Sequence, residues 1–153
     1  MESNLKLNKY FTIMLGIIFV LGVFVIYQAS IINKLKNKQT SEFFLETKLK
    51  RDQSSAKTLQ SLKELMDNGN ISKEVRAIAA SKYINIVVAA NNESQIELLL
   101  KNKGYDEVVA IITDDRVRLI IKHDNKLSKS ELNEIRDTVM SVTKIGDIEV
   151  EIK

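Results

Sequence analysis

The sequence predicts an α+β protein: a single N-terminal transmembrane helix, a helical stem, then an αββαβ wedge whose three-stranded sheet is covered on one face by two helices. Three observations carry this reading. Residues 10–33 hold no charged side chain. Apolar residues then recur from Leu45 at the three, four and seven spacing of an amphipathic helix. Two later stretches, Glu107–Lys122 and Asp147–Ile152, are rich in β-branched residues, and Arg116–Lys122 and Asp147–Ile152 alternate.

The elements follow in chain order. Residues 1–9 form a short cytosolic N-terminus. Residues 10–33, flanked by Tyr10 and Tyr27, would extend roughly 36 Å as a helix, enough for a hydrocarbon core of about 30 Å. A cleaved signal peptide is the competing reading, but its apolar region is shorter, about 7–15 residues, and Tyr27 is bulky for the position before a cut after Ala29. Lys6 and Lys9 precede the span, and Lys34, Lys36 and Lys38 follow it. Basic residues alone thus slightly favour the C-terminal side inside; the length of the following domain, which translocates regardless of flank charge, favours the domain outside.

Residues 34–71 form a basic stem. Lys34–Thr40 is expected to be unfolded and Leu45, Leu49, Ala56, Leu59, Leu62 and Met66 to line a helix, which the Asp67-Asn68-Gly69-Asn70 cluster ends. Residues 72–153 form the extracytoplasmic domain. Ser72 caps a helix carrying Val75, Ile78, Ala79, Lys82, Ile86 and Ala90, which Asn91-Asn92 should end. A shorter helix with Ile96, Leu99 and Leu100 follows, and Gly104 takes the left-handed position after it. Asp114-Asp115 joins two strands as a hairpin. Ser128 and Glu131 make a capping box for a helix bearing Leu132, Ile135, Val139 and Met140, closed by Gly146-Asp147 before the last strand.

A right-handed crossover with the first strand in the middle gives sheet order 2-1-3, leaving Arg116–Lys122 and Asp147–Ile152 as edges. Unpaired edges invite another chain. Arg116, Arg118, Ile120 and Lys122 on one edge, and Glu149 and Glu151 on the other, are therefore the candidate partner or subunit interface. Their opposite signs suit a head-to-tail contact that closes into a ring. Gly104 and Tyr105 are expected to be structural.

Little in the chain suits catalysis. The absence of cysteine removes disulfides, thiolate metal sites and thiol nucleophiles, and the single histidine, His123, has no second ligand near it in sequence. The five glycines are isolated, so no phosphate loop exists. The sequons at Asn70 and Asn92 coincide with helix caps. With 23 basic and 20 acidic residues the net charge is +3, and the basic excess lies in the stem, where anionic head groups explain it better than nucleic acid does. Nor does Asn102-Lys103-Gly104-Tyr105 supply the GXXG loop of a KH module. No enzyme, cofactor, metal or nucleic-acid partner is expected.

The segment QIELLLKNKGYDEVVAIITDDRVRLII, residues 95–121, resembles the signature of the stage III sporulation protein AH family of endospore-forming bacteria. Ile96-Glu97, Lys101, Gly104-Tyr105 and the acidic-flanked hairpin Asp106 to Ile121 carry the likeness. The anchor, the helices of residues 56–90 and the final helix and strand extend it over nearly the whole chain. The resemblance implies a domain similar to the ring-building modules of type III secretion basal bodies. It also implies a role in engulfment and in the channel between mother cell and forespore. The chain would be anchored in the mother-cell membrane around the forespore, with its domain in the intermembrane space. The implied partners are stage II sporulation protein Q, which bears a LytM-type domain, other mother-cell channel proteins of the same operon, and further copies of the chain in a ring. The stem is shorter than the acidic linkers of some relatives. A different reading of the residues, a membrane-tethered sensor of a small ligand, stays open at this point.

Overall fold

The computed structural model describes residues 2–153, apart from the side chains of residues 2–13, 15–17, 29, 30, 32, 33 and 35–37. Its elements run α1 (Glu2–Asp67), α2 (Lys73–Asn102), β1 (Val108–Thr113), β2 (Arg116–Ile121), α3 (Lys129–Thr143) and β3 (Asp147–Ile152). The chain divides into two units, Met1–Gln39 and Thr40–Lys153.

The first unit is helical. Its described side chains include exposed Ile18, Phe19, Val20, Leu21 and the run Val23–Tyr27. In the expected span 10–33 the side chains of residues 10–13, 15–17, 29, 30, 32 and 33 lie outside the described ones, and among the described residues no helix is long and apolar enough to cross a membrane. Lys34–Thr40, expected to be unfolded, is helical. No glycine or proline falls between Val23 and Asn68, and Lys, Gln and Leu favour the helix.

In the second unit the stripe facing inward on α1 differs from expectation. Phe44 is 1% exposed while the expected Leu45 and Leu49 face solvent; Leu62, also expected, is buried. Phe44 packs on Val109 and Ile120, and that contact fixes which side of α1 turns inward. The next helix is also longer than expected. Asn91-Asn92 does not end it, and α2 runs unbroken to Asn102. An asparagine inside a helix costs only about 0.7 kcal/mol, less than the inward contacts of Ile96 and Leu100 return.

Gly104 has φ +101°, and the Gly104 N–H donates to Lys101 O, as a helix end with a positive φ requires. Ser128 and Glu131 form the expected capping box, and α3 ends at Thr143 with Lys144 left-handed at φ 61°, ahead of the expected stop at Gly146-Asp147.

β1 and β2 are the expected antiparallel hairpin, turned at Asp114 with φ 47°. The order, however, is β1-β2-β3, with β2 and β3 parallel. β2 is therefore the central strand, and the expected 2-1-3 order and the expected β2 edge are both corrected. β1 is nonetheless apolar along its length, because α2 covers one of its faces and Phe44 covers the other. The main core lies under α2 and α3, where Ile96, Leu100, Val108, Leu119, Ile121, Ile135 and Val139 are fully buried, so two helices do cover one face.

Candidate functional site

The two outer edges of the sheet differ. Ladder bonds alternate along a strand, and Lys122 N–H donates to Glu107 O. Odd-numbered residues of β1 thus pair with β2, and Ala110 and Ile112 point their amide groups outward. Side chains meet them. Ala110 N–H donates to Glu97 Oε1 at 3.0 Å and Ile112 N–H to Glu93 Oε1 at 2.7 Å. Arg51 Nη1 donates both to Ala110 O and to Glu97 Oε1, each at 2.6 Å. Lys48 Nζ stands 2.9 Å from Glu97 Oε2, and Arg51 Nε 3.5 Å from Glu93 Oε2. A strand edge is thereby closed by two carboxylates one helical turn apart on α2 and two cations on α1.

The electrostatics fit that closure. Burial pushes the Glu93 carboxyl up, against the lowering effect of the Ile112 amide and Arg51. Sequence reasoning missed this cluster because charged residues were read as solvent-facing. One signal was present: Glu93 and Glu97 share the inward stripe of Ile96 and Leu100.

The β3 edge has no such cover. Lys153 N–H donates to Ile121 O at 3.0 Å, and Lys153 O accepts from His123 N–H at 3.2 Å. By the same alternation Asp147, Glu149 and Glu151 pair with β2, and Ile148, Val150 and Ile152 direct their N–H and C=O groups away from the sheet. No strand lies beyond β3 among the described residues.

The predicted interface residues fall on the sheet face opposite α2 and α3. Arg116 Nε donates to Asp147 Oδ2 and Arg118 Nη2 to Glu151 Oε2, both at 2.8 Å. The opposite charges proposed to meet between subunits thus meet first within the chain. Lys153 also holds Glu151 at 2.9 Å and sits over the Phe43 ring, 5.4 Å from its centroid. Lys153 first and Arg118 second keep the Glu151 carboxyl below the ordinary range. Glu149 is exposed and has no ion-pair partner among the described residues. Ile120 lies under Phe44, and Lys122, two residues on, is half-buried. Tyr105 is part of the core, and its N–H donates to Leu100 O.

His123 Nδ1 lies 2.7 Å from Asn125 O, and Nε2 is 3.7 Å from Glu131. Among the described residues no group of three acidic or histidine side chains could hold a metal ion.

No curated protein matches the sequence. A chain of the solved structure described as "Structure of the SpoIIQ-SpoIIIAH pore forming complex" is similar in fold, with a TM-score of 0.67 at 21% identity, over 72% of this chain and 96% of that one. The model of the SpoIIIAH-like protein family matches residues 11–152, and the chain belongs to that family.

Proposed function

We propose that this chain is a non-enzymatic, single-pass membrane protein of sporulation. Its Thr40–Lys153 unit binds a SpoIIQ-like, LytM-domain partner between the mother-cell and forespore membranes. It contributes there to a ring or channel and supports engulfment. Family membership supports the setting, and the likeness to the SpoIIQ-SpoIIIAH complex supports the partner. The uncharged run of residues 10–33 supports an anchor.

The observation that carries the reading is the bare β3 edge beside a sealed β1 edge. A partner strand laid along β3 would bond the outward amides of Ile148, Val150 and Ile152. It would meet Glu149 as the one side chain of the Asp147–Glu149–Glu151 row without an ion pair, so a basic side chain opposite it is favoured. Another copy of β3 would instead bring a second acidic row, which disfavours self-pairing there.

The test is light scattering of the full chain in detergent, mixed with the LytM-type ectodomain of the same genome, for the wild type and Val150→Pro. Proline at 150 removes an outward donor and no bond to β2. A discrete complex with the wild type, and binding weakened at least tenfold in the variant, is expected. Equal binding by both would exclude the β3 edge, and no complex with the wild type at tens of micromolar would exclude the partner.

A further inference from the structure

The outward face of α2 inverts the usual pattern of a surface helix. From Ala77 to Leu98 its charged residues are Lys82, Glu93 and Glu97. At 100° per residue all three fall on the side of the buried Ala79, Ile96 and Leu100. The opposite side carries Ile84, Val87, Val88 and Leu98, which are 60%, 46%, 51% and 59% exposed. Between them stand only small or uncharged residues, such as Ala77, Ala80 and Asn91. The stripe follows a seven-residue repeat, with Ala77, Ile84, Asn91 and Leu98 one heptad apart. Over six helical turns this stripe carries no charged side chain, and the exposed Lys82 lies on the other side of the helix, which makes the stripe a surface suited to being covered.

We propose that this face is an isologous contact between two copies of the chain, with the α2 helices packed antiparallel about an axis near Val87. Charge decides the occupant. The exposed half of the sheet carries Arg116, Arg118, Glu149 and Glu151, and burying those groups under an apolar stripe would strip them of water without new partners. The outer side of α1 intersperses Leu45 and Leu49 with Glu46 and Lys50. A second α2 presents no charge to desolvate. In the antiparallel register Val87 and Val88 meet across the axis, Ile84 falls opposite Asn91, and Ala77 opposite Leu98 leaves room for the helices to approach. Such a contact closes at two, unlike a ring-forming one, and it leaves the β3 edge free for a different chain.

Because the chain has no cysteine, a single introduced thiol reports only contacts between copies. The full chain in detergent is carried as Val87→Cys and, for comparison, as Leu45→Cys on α1, each with and without Val88→Glu. Under mild oxidation Val87→Cys is expected to form a covalent dimer at least fivefold faster than Leu45→Cys. Val88→Glu should suppress that dimer and halve the mass by light scattering. Since residue 88 faces solvent, the melting temperature should stay within about 2 °C of the parent. Equal cross-linking at both sites, or a monomeric mass in the parent, would overturn the proposal. Loss of binding to the LytM-type ectodomain in Val88→Glu without any change of mass would assign the stripe to that partner and overturn it equally. Loss of partner binding in Val150→Pro, by contrast, tests the β3 edge and leaves the dimer readout unchanged.

Discussion

The β1 and β3 edges border one sheet of three strands, yet one is closed and the other open. At β1, Glu93, Glu97 and Arg51 satisfy the outward amide groups of Ala110 and Ile112 within the chain. At β3 the equivalent groups of Ile148, Val150 and Ile152 face away from the sheet with no neighbouring strand. The difference teaches where the protein can grow. An edge with its own side-chain partners gains little from another strand, whereas an edge without them gains a full ladder. Closing β1 also has a cost, because four charged groups are held in a partly dry place and are stable there only together.

Paired proline substitutions sharpen this contrast most. Ala110→Pro removes an N–H bonded to Glu97 and should destabilise the chain by about 3 kcal/mol, whereas Val150→Pro should cost less than about 1 kcal/mol. Urea unfolding of the Thr40–Lys153 unit in the full chain reads both. Similar losses would mean that the edges are equivalent, and the comparison would fail.

Arg51→Ala attacks the closed edge from the other side. It leaves Glu93 without its cation, Glu97 with Lys48 alone and Ala110 O without its donor, so a loss of about 2–3 kcal/mol is expected in the same titration. A loss below about 0.5 kcal/mol would show that α1 does not hold the edge.

The smallest effect comes from Glu93→Gln, and pH is its variable. Burial raises the folded-state pKa of Glu93 above 4.5, so the folded chain holds this proton more tightly than the unfolded one. Its contribution is complete at low pH and fades as pH rises through the raised value. Glutamine does not titrate. The stability difference should therefore move in favour of Glu93→Gln by about 1 kcal/mol or less between pH 4 and 7. A shift in the other direction would mean that Arg51 outweighs burial at this site.

Much of the wedge was legible. The hairpin at Asp114-Asp115, the Ser128 capping box and the turn at Gly104 depend on residues within a few positions of one another, and each formed where expected. The errors have one origin. Sheet order, the inward side of α1 and the length of α2 depend on contacts between residues far apart in the chain, such as Phe44 with Val109 and Ile120, or Glu93 with Ile112. Of the expected interface, Arg116 and Arg118 lie on the central strand rather than on an edge, and both are already paired within the chain, with Asp147 and Glu151.

The sequence by itself determined the element types, the caps, the uncharged N-terminal run and the family, because propensity, periodicity and charge-free length are local properties. Only the tertiary structure decided which strand is central and which edge stays open. Both depend on where α1 lays Phe44 and Arg51, and a backbone amide finds its partner by proximity in space, which no local pattern encodes.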